Sequence, residues 1–385
     1  MSQCSLIKNG LVYYPEKGST YCCETEPYDA QRELFIFEKW DEKRAHELEK
    51  YEQSKTDWLP ECDSCRYHEK VMGHSVRTED NETWSHVADD DNNIKTAIMK
   101  TSNLCNLACR MCSPNVSTKW QQVVANNPIN GFYETELKVL QQTTVDDMTY
   151  IKNYVLTEHL EHISFSGGEP MLSKWNVEIL QYLIDNDLCK NIAFGIITNG
   201  TVKFTDAWLE SIIQFKEASI GFSMDGLGSV IEYIRPGLKW ETMVGVIDHL
   251  HTTLPDLPIT FSYVAQALNA HTFWDDQIIM EKWQLDLESE TGSFLDNVSI
   301  CRFPQHLSYR VLAPALREKY KMTEYTEELP YEERQYKVFM RQMAWQDNAH
   351  NTSLKDHNPD FFDTEFYPQE MINEYYNRRI MVRND

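Results

Sequence analysis

Three cysteines crowd into eight residues of the stretch TSNLCNLACRMCSPNVSTKW, which runs from residue 101 to residue 120. Cys105, Cys109 and Cys112 are separated by three residues and then by two. Thiolates select zinc, copper(I) or iron–sulfur clusters. A structural zinc site closes its shell with four protein ligands, and this loop supplies three. A four-iron cluster held by three thiolates would leave one iron open to a substrate or a cofactor.

Further short motifs follow the cysteines, and three of them come at the end of a predicted strand. The motif GGEP covers 167–170, TNG covers 198–200 and SMDG covers 223–226, while Arg235 lies in YIRPG. Glycines in such turns permit a close approach of the backbone to a ligand. Each motif alone is typical of an ordinary turn, so its meaning depends on the order in which the motifs occur.

Six short runs rich in β-branched and aromatic residues alternate with helix-like segments between residues 94 and 304. This alternation predicts a parallel sheet with right-handed crossovers. Six units indicate an α/β fold with a partial (β/α)6 barrel rather than a full eight-fold barrel. In such barrels chemistry takes place at the C-terminal ends of the strands, which is where the motifs fall. The runs are KTAIMKT, HISFSGG, NIAFGIITNG, ASIGFSMDG, PITFSYVAQ and NVSICRF.

Helical segments are expected between these strands. SKWNVEILQYLIDNDL begins at Ser173, which predicts a helix capped by that side chain. DAWLESIIQFKE predicts a second helix, and residues 113–160 predict a mostly helical insertion before the second strand.

The three-cysteine loop and the motifs behind it, in this order, resemble the radical S-adenosylmethionine (radical SAM) superfamily. The resemblance implies a 4Fe–4S cluster whose open iron is chelated by the amino and carboxylate groups of S-adenosylmethionine. It implies reductive cleavage of that molecule to a 5′-deoxyadenosyl radical, which abstracts hydrogen from a substrate. The cofactors then carry the difficult chemistry, and an electron donor such as flavodoxin or ferredoxin is implied as a partner.

The resemblance also implies roles for the GGEP motif and for one residue of the cysteine loop. Gly167, Gly168, Glu169 and Pro170 match the motif that holds the methionyl amino group. Met111 occupies a position that is often aromatic in the superfamily, and a thioether can still pack on adenine.

The remaining motif residues are assigned by the same resemblance to the other end of the cofactor. Thr198 and Asn199 match the position that meets the ribose. Ser223 and Asp225 are expected near the ribose or the carboxylate. Arg235 is expected to pair with the methionyl carboxylate, which suits a guanidinium fork.

A second set of cysteines, Cys4, Cys22, Cys23, Cys62 and Cys65, precedes the barrel. With GSTYCC upstream, the C-x2-C pair resembles the auxiliary-cluster modules called twitch or SPASM, here placed before the barrel as in a group of twitch-containing radical proteins. Four ligands would close an auxiliary iron–sulfur cluster, and the sequence leaves open whether Cys22 or Cys23 is one of them. Structural zinc is the alternative, because C-x2-C is equally a zinc motif and His68 is nearby.

These patterns predict three domains. Residues 1–93 form a cysteine-rich, twitch-like module, residues 94–304 form the barrel, and residues 305–385 form a mostly helical C-terminal extension. Cys301, in the last predicted strand, could point into the barrel as a hydrogen-atom donor, although a buried packing role is the simpler interpretation.

The composition sets limits on partners and on location. The net charge of −24, from 36 basic and 60 acidic residues, disfavours binding to nucleic acid or to an anionic membrane. No apolar run has the length of a membrane span, and the N-terminus lacks a signal pattern. We therefore expect a cytoplasmic protein with reduced thiols.

The sequence is compatible with three functions. The auxiliary module favours an enzyme that modifies a peptide or protein through a deoxyadenosyl radical. The alternative enzyme acts on a small metabolite, such as a sugar or nucleotide, with zinc at the N-terminal cysteines. The third hypothesis is a metal-binding scaffold without turnover.

Overall fold

The computed structural model describes residues 3–15, 18–22, 40–88, 90–127, 142–286, 298–301, 304–323 and 329–383. The chain divides into two compact units. The first unit comprises residues 1–104, 139–198 and 204–219, and the second comprises residues 105–138, 199–203 and 220–385.

Eight strands form a mostly parallel sheet in the order β2-β1-β3-β4-β5-β6-β7-β8. All six predicted barrel strands are present, as β3 to β8, and the expected α/β fold with a partial barrel is confirmed. The β1–β2 pair is antiparallel, and the pairs β1–β3, β3–β4, β4–β5, β6–β7 and β7–β8 are parallel. The strands are β1 (Gly10–Tyr14), β2 (Gly18–Thr20), β3 (Thr96–Met99), β4 (His162–Phe165), β5 (Ala193–Thr198), β6 (Glu217–Ser223), β7 (Ile259–Ala265) and β8 (Val298–Ile300).

Strand β1 extends the sheet beyond the six strands of the predicted barrel. It lies parallel to β3, with Gly10 opposite Thr96 and Tyr13 opposite Met99. Its apolar sequence GLVYY is buried almost throughout, which is the environment of a parallel strand. Backbone hydrogen bonds thus join part of the cysteine-rich block, residues 1–93, to the sheet. The domain boundaries at residues 93 and 304 stay predictions.

The described residues contain fifteen α-helices. They are α1 (Ser5–Asn9), α2 (Trp40–Ser54), α3 (Asp63–Met72), α4 (Val76–Thr83), α5 (Thr118–Asn126), α6 (Val145–Tyr154), α7 (Lys174–Asp185), α8 (Asp206–Ile212), α9 (Ser229–Ile234), α10 (Trp240–Thr253), α11 (Phe273–Asp286), α12 (Pro314–Lys319), α13 (Glu333–His350), α14 (Leu354–His357) and α15 (Gln369–Arg383).

The start of α7 differs in detail from the sequence expectation. Ser173 holds the N-cap position, but its side chain makes no capping hydrogen bond. Its Oγ atom lies 2.7 Å from Oγ1 of Thr101, which comes directly before the cysteine loop. A buried side-chain partner therefore replaces the helix amide that a serine cap usually binds.

The insertion between β3 and β4 is helical where the structure describes it. Helices α5 and α6 cover its two ends, and residues 128–141 lie outside the described residues. Each helix begins with a side-chain cap, from Ser117 and Thr144 respectively.

The C-terminal extension is mostly helical in its described part. Helix α13 contributes Tyr336, Phe339 and Met340 to a core that excludes solvent. Tyr336 stacks on Tyr367 with ring centroids 3.9 Å apart. No helix in the described ranges combines the length and the apolar character that crossing a membrane requires.

Candidate functional site

The three-cysteine loop lies between β3 and α5, and the second unit holds its backbone in place. The amide of Ala108 donates to the carbonyl of Pro236 at 3.2 Å, and the amide of Arg110 donates to the carbonyl of Ile234 at 2.9 Å. Ser117, the cap of α5, also donates from Oγ to the carbonyl of Leu107 at 2.6 Å. The loop therefore has a defined path even though it contains no regular secondary structure.

Arg235 reaches the loop at its second cysteine. Its Nη1 atom lies 3.6 Å from Sγ of Cys109, which is 4% exposed. The hydrogen bond from the Cys112 thiol lowers the pKa of Cys109 despite burial, and the Arg235 guanidinium adds to this effect. The same hydrogen bond and burial raise the pKa of Cys112. Cys109 is thus favoured as a thiolate, the form that binds metal.

Asp225 fixes the position of Arg235. Its Oδ2 atom accepts from Nη2 of Arg235 at 2.7 Å and from Nε at 2.9 Å. Oδ1 accepts from the amide of Val264 at 3.1 Å, and the Asp225 carbonyl accepts from Nδ2 of Asn269 at 2.9 Å. The sequence predicted Asp225 and Arg235 as cofactor ligands, and the structure brings them together as a buried ion pair beside Cys109.

Asn199 lies beside the first cysteine. Its Nδ2 atom is 3.9 Å from Sγ of Cys105 and donates to Oδ1 of Asn106 at 3.0 Å. Its Oδ1 atom accepts from the amide of Thr201 at 3.0 Å. Of the other predicted residues in this unit, Met111 on the loop and Ser223 at the end of β6 are both half-buried.

In the first unit, the GGEP turn follows β4 and contacts the backbone of Leu104, the residue before the cysteine loop. Gly167 and Gly168 have φ angles of 77° and 57°, in the left-handed region that glycine tolerates. A Cβ atom on Gly168 would lie 2.5 Å from the carbonyl oxygen of Leu104. The amide of Glu169 donates to that same carbonyl at 2.7 Å. Residue 168 must therefore be glycine for this approach.

Glu169 and Thr198, both predicted as cofactor residues, meet in the first unit. Oε1 of Glu169 accepts from Oγ1 of Thr198 at 2.8 Å and from the amide of Met171 at 3.2 Å. The Glu169 side chain is 1% exposed, and Pro170 begins the short 3-10 turn that follows. The carboxylate is thereby oriented at the ends of β4 and β5.

Four of the five N-terminal cysteines line one small pocket of the first unit, together with Tyr21 and Arg77. Burial raises the pKa of Cys4 to about 12, and its neighbours Cys62 and Cys65 contribute to the shift. Burial likewise raises the pKa of Cys62 to about 11. The cysteines of this pocket are Cys4, Cys22, Cys62 and Cys65. Cys23 lies outside the described residues.

Arg77 is a part of this pocket that the sequence interpretation missed. Its Nε and Nη2 atoms bind the two carboxylate oxygens of Glu69 at 2.8 and 2.6 Å. The arginine charge acts on Cys4 and Cys65. The spacing of residues 69 and 77 gives no local signal for this pairing, which joins α3 to α4.

Arg110 was also missed, although a charged residue between two cysteines of the loop could have drawn attention. Its guanidinium is buried over the ring of Tyr233, 3.8 Å from the centroid. It donates to the carbonyl of Tyr233 and to side chains of Gln346, Asp347 and Thr352. The C-terminal extension therefore contacts the cysteine loop within the second unit.

Cys301 is the candidate that the last predicted strand contributed. Cys301 follows β8 and is 4% exposed, and burial together with Asp225 raises its pKa to about 12. Within the described parts of the chain, no three His, Cys, Asp or Glu side chains converge on a point as ligands of one metal ion do.

Residues 99–275 match the Radical SAM superfamily, and this segment contains all three cysteines of the loop and every motif that follows them. The chain carries a radical SAM domain. The N-terminal cysteines and residues beyond 275 lie outside the matched segment of the radical SAM domain.

Two relatives match parts of the chain. The uncharacterized protein MJ0907 of Methanocaldococcus jannaschii is 30% identical over 144 residues, which is 37% of this chain and 42% of the relative. The 7-carboxy-7-deazaguanine synthase of Clostridium acetobutylicum is 32% identical over 121 residues, which is 31% of this chain and 42% of the relative. The chain thus spans less than half the length of either of these relatives.

Solved structures with low similarity include anSMEcpe with bound AdoMet. It is 16% identical, with a TM-score of 0.38, and the match covers 67% of this chain and 62% of that one. Streptococcus suis SuiB bound to the precursor peptide SuiA is 12% identical, with a TM-score of 0.38, and the match covers 88% of this chain and 67% of that one.

Proposed function

We propose that the protein is a radical SAM enzyme whose three-cysteine loop holds a 4Fe–4S cluster with one open iron. When bound, this cluster would supply the electron that breaks the bond between sulfur and C5′ of S-adenosylmethionine. The cleavage would release methionine and a 5′-deoxyadenosyl radical, and a substrate C–H bond would give up a hydrogen atom to that radical. The observation that carries the proposal is the buried Cys109 beside Arg235, on a loop with two further cysteines.

The residues around the loop fit a cluster. Thiolates are the ligands that iron–sulfur clusters require, and the guanidinium beside Cys109 stabilises the thiolate form before metal arrives. Each thiolate of a cluster binds its own iron atom, so the three sulfurs need not converge on one point. Hydrogen-bond donors near the sulfurs, such as Nδ2 of Asn199 near Cys105, tune such a cluster.

Binding of S-adenosylmethionine is assigned to the motif residues as the second part of the proposal. Glu169 and the Gly167–Gly168 turn would hold the methionyl ammonium, because the buried carboxylate is already oriented by Thr198. Arg235 would serve the methionyl carboxylate while it remains paired with Asp225. The assigned residues that complete this set are Met111, Pro170, Asn199 and Ser223.

A peptide or protein is the proposed substrate, and the support is the N-terminal module. Cys4, Cys22, Cys62 and Cys65 line one pocket and offer the four sulfur ligands of a closed auxiliary cluster. Burial keeps the thiols of Cys4 and Cys62 protonated at neutral pH. Metal binding would therefore release protons and stabilise the fold of this module.

A small metabolite is the second candidate substrate class. The observation that favours it is the 32% identity over 121 residues to 7-carboxy-7-deazaguanine synthase. With this substrate class we associate structural zinc at the N-terminal cysteines. An external electron donor, such as flavodoxin or ferredoxin, would serve either reaction.

The metal content of the protein tests both clusters. After anaerobic reconstitution we expect about eight irons and eight sulfides per chain, and about four after Cys105, Cys109 and Cys112 are replaced together by alanine. Cys189→Ala removes a buried thiol of the first unit that lies outside both sets and should leave the count unchanged. No iron on the wild-type loop would refute the proposal for the loop.

The same assay separates an auxiliary cluster from zinc. Replacing Cys62 and Cys65 should remove about four irons and leave the loop cluster in place. About four irons and one zinc in the wild type would instead favour the second substrate class. Cys22→Ala should lose the auxiliary metal and Cys23→Ala should retain it, and the reverse outcome would exchange their roles.

A further inference from the structure

A cavity of about 300 Å³ lies in the first unit, between the N-terminal helices and the sheet. This volume is at the lower end of the range for small-molecule sites, roughly 300–1,000 Å³. Most of its lining is apolar, with a few polar groups, which is the usual composition of a ligand pocket. The lining includes Val76, Asp80 and Trp84 from the region of α4, and Val12, Ile98 and His162 from the strands.

The cavity is distinct from the GGEP turn within the same unit. Thr96 and His162, which both line it, are the first residues of β3 and β4 and lie opposite each other in the sheet. The GGEP motif instead follows Phe165, the last residue of β4. Thr96 and His162 therefore place part of the cavity at the N-terminal end of β3 and β4, whereas the GGEP motif follows the C-terminal end of β4.

Two carboxylates line the cavity, Glu79 and Asp80. The Glu79 side chain is exposed, with Oε1 2.9 Å from Nδ1 of His74, which leaves half-buried Asp80 to face a ligand. Oδ1 of Asp80 accepts from Nε1 of Trp84 at 3.1 Å, and Trp84 is the only described side chain that donates to this carboxyl group. None of the described residues that line the cavity is a lysine or an arginine. A carboxylate in apolar surroundings is costly unless a positive or hydrogen-bonding partner meets it.

The opposite wall offers a neutral ring rather than a competing charge. His162 lies with Nδ1 3.0 Å from Oγ1 of Thr96, and burial lowers its pKa, so the imidazole is uncharged at neutral pH. Ile98 on the adjacent strand β3 and Val12 on β1 line the cavity with it. A cation at Asp80 would thus meet no repulsion from the imidazole, and an alkyl chain would meet apolar side chains.

We propose that this cavity binds a small primary alkylamine, with its ammonium group against Asp80 and its alkyl chain against Val12, Val76 and Ile98. The carboxylate supplies the charge, and the indole of Trp84 both orients that carboxylate and covers one side of the ligand. No residue of the cysteine loop or of the GGEP motif lines the cavity, so this assignment does not depend on the radical chemistry proposed above. Cys22, a proposed ligand of the auxiliary metal, lines both this cavity and the cysteine pocket.

The test measures binding of n-pentylamine, pentan-1-ol and pentanoate to the full chain by isothermal titration calorimetry at pH 7.5. The amine should bind saturably, the alcohol roughly tenfold more weakly, and pentanoate not at all. Asp80→Asn keeps the shape of the side chain and should weaken amine binding at least roughly tenfold. Asp256→Asn changes an exposed aspartate in the second unit and should bind the amine as the wild type does.

A second variant guards against a folding defect at position 80. Val76→Phe leaves Asp80 intact and adds bulk towards the cavity, so amine binding should again be lost while the circular dichroism spectrum is retained. Absence of amine binding by the wild type would overturn the proposal. Equal affinity for the amine and the alcohol, or unchanged binding by Asp80→Asn, would overturn it as well.

Discussion

Arg110, which lies between two cysteines of the loop, donates from Nη2 to Oδ1 of Asp347 on α13 at a distance of 2.8 Å. Both side chains are completely buried. Oδ1 of Asp347 also accepts from Tyr233 at 3.0 Å and from Thr352 at 2.7 Å. Oδ2 accepts from the amide of Leu354 at 2.6 Å and from the hydroxyl of Tyr375, so both carboxylate oxygens have partners. This ion pair connects the C-terminal extension to the loop that carries the proposed cluster.

Replacing Asp347 by alanine should destabilise the protein strongly. It leaves the Arg110 charge buried without its partner, which costs about 3–5 kcal/mol in the free energy of unfolding. Urea denaturation of the protein measures this loss, and iron binding by the loop should fall with it. Arg341→Gln breaks an ion pair with Glu374 on the exposed side of the same helix and should cost at most about 1 kcal/mol. Equal effects of the two variants would contradict a special role of Asp347.

Gly168→Ala should impair the GGEP turn. The left-handed backbone at φ 57° and the 2.5 Å approach to the Leu104 carbonyl leave no room for a methyl group. We expect a lower melting temperature and weaker binding of S-adenosylmethionine in equilibrium dialysis. Gly245→Ala is the matched control, because this glycine lies in α10 with nothing within 4 Å of its added Cβ. That variant should gain up to about 1 kcal/mol, and a comparable loss in both variants would refute the argument.

Glu169→Gln should weaken binding of S-adenosylmethionine while leaving the metal content unchanged. Glutamine retains an oxygen that can accept from Thr198, but it removes the charge that would face the methionyl ammonium. A hydrogen bond to a charged group contributes about 1.5–3 kcal/mol, so a loss of at least roughly tenfold in affinity is expected. Glu178→Gln, on the surface of α7, should bind normally. Wild-type affinity in Glu169→Gln would remove this residue from the proposed cofactor site.

Acid should destabilise the second unit through its buried histidines. His357 stacks on Tyr233, lies with Nε2 2.7 Å from the carbonyl oxygen of Leu268, and has its pKa lowered to about 3 by burial. In the unfolded chain His357 takes up a proton near pH 6.5, whereas in the folded chain it stays neutral until about pH 3. The free energy of unfolding therefore decreases as the pH falls below 6.5 towards 3. This histidine contributes about 1.4 kcal/mol per pH unit over that window.

The measurement compares urea denaturation at pH 7.5 and 5.5. His357→Gln should lose about 1.4 kcal/mol less than the wild type on acidification. His159→Gln changes an exposed histidine and should behave as the wild type. Burial raises the pKa of Asp276 to about 6, so protonation of this residue on acidification stabilises the folded state. This contribution is the same in the wild type and in both variants, and it cancels when they are compared. An unchanged pH dependence in His357→Gln would show that this ring is not the group that resists protonation.

Local patterns in the sequence were sufficient to predict the strands β3 to β8 and the positions of the motifs at their ends. Periodicity and turn residues report on neighbours along the chain, and parallel strands bring successive C-terminal ends to one edge. The parallel pairing of β1 with β3 depends on residues 86 positions apart (Gly10 and Thr96), and no local signal specifies it.

The site was predictable to the same extent. The cysteine spacing and motif order identified the candidate ligands, and the structure adds how they are held. The pairing of Arg110 with Asp347 spans 237 residues, and the bond between Ser173 and Thr101 replaces an expected helix cap. Such contacts depend on tertiary packing, which propensity and spacing do not encode.

The formation of 5′-deoxyadenosine tests the central claim most directly. The reconstituted protein, with S-adenosylmethionine and dithionite under anaerobic conditions, should release 5′-deoxyadenosine, as quantified by liquid chromatography and mass spectrometry. The variant with alanine at Cys105, Cys109 and Cys112 should release none, and Cys189→Ala should match the wild type. Continued formation of 5′-deoxyadenosine by the triple variant, or none by a wild type whose loop cluster is intact, would contradict the account.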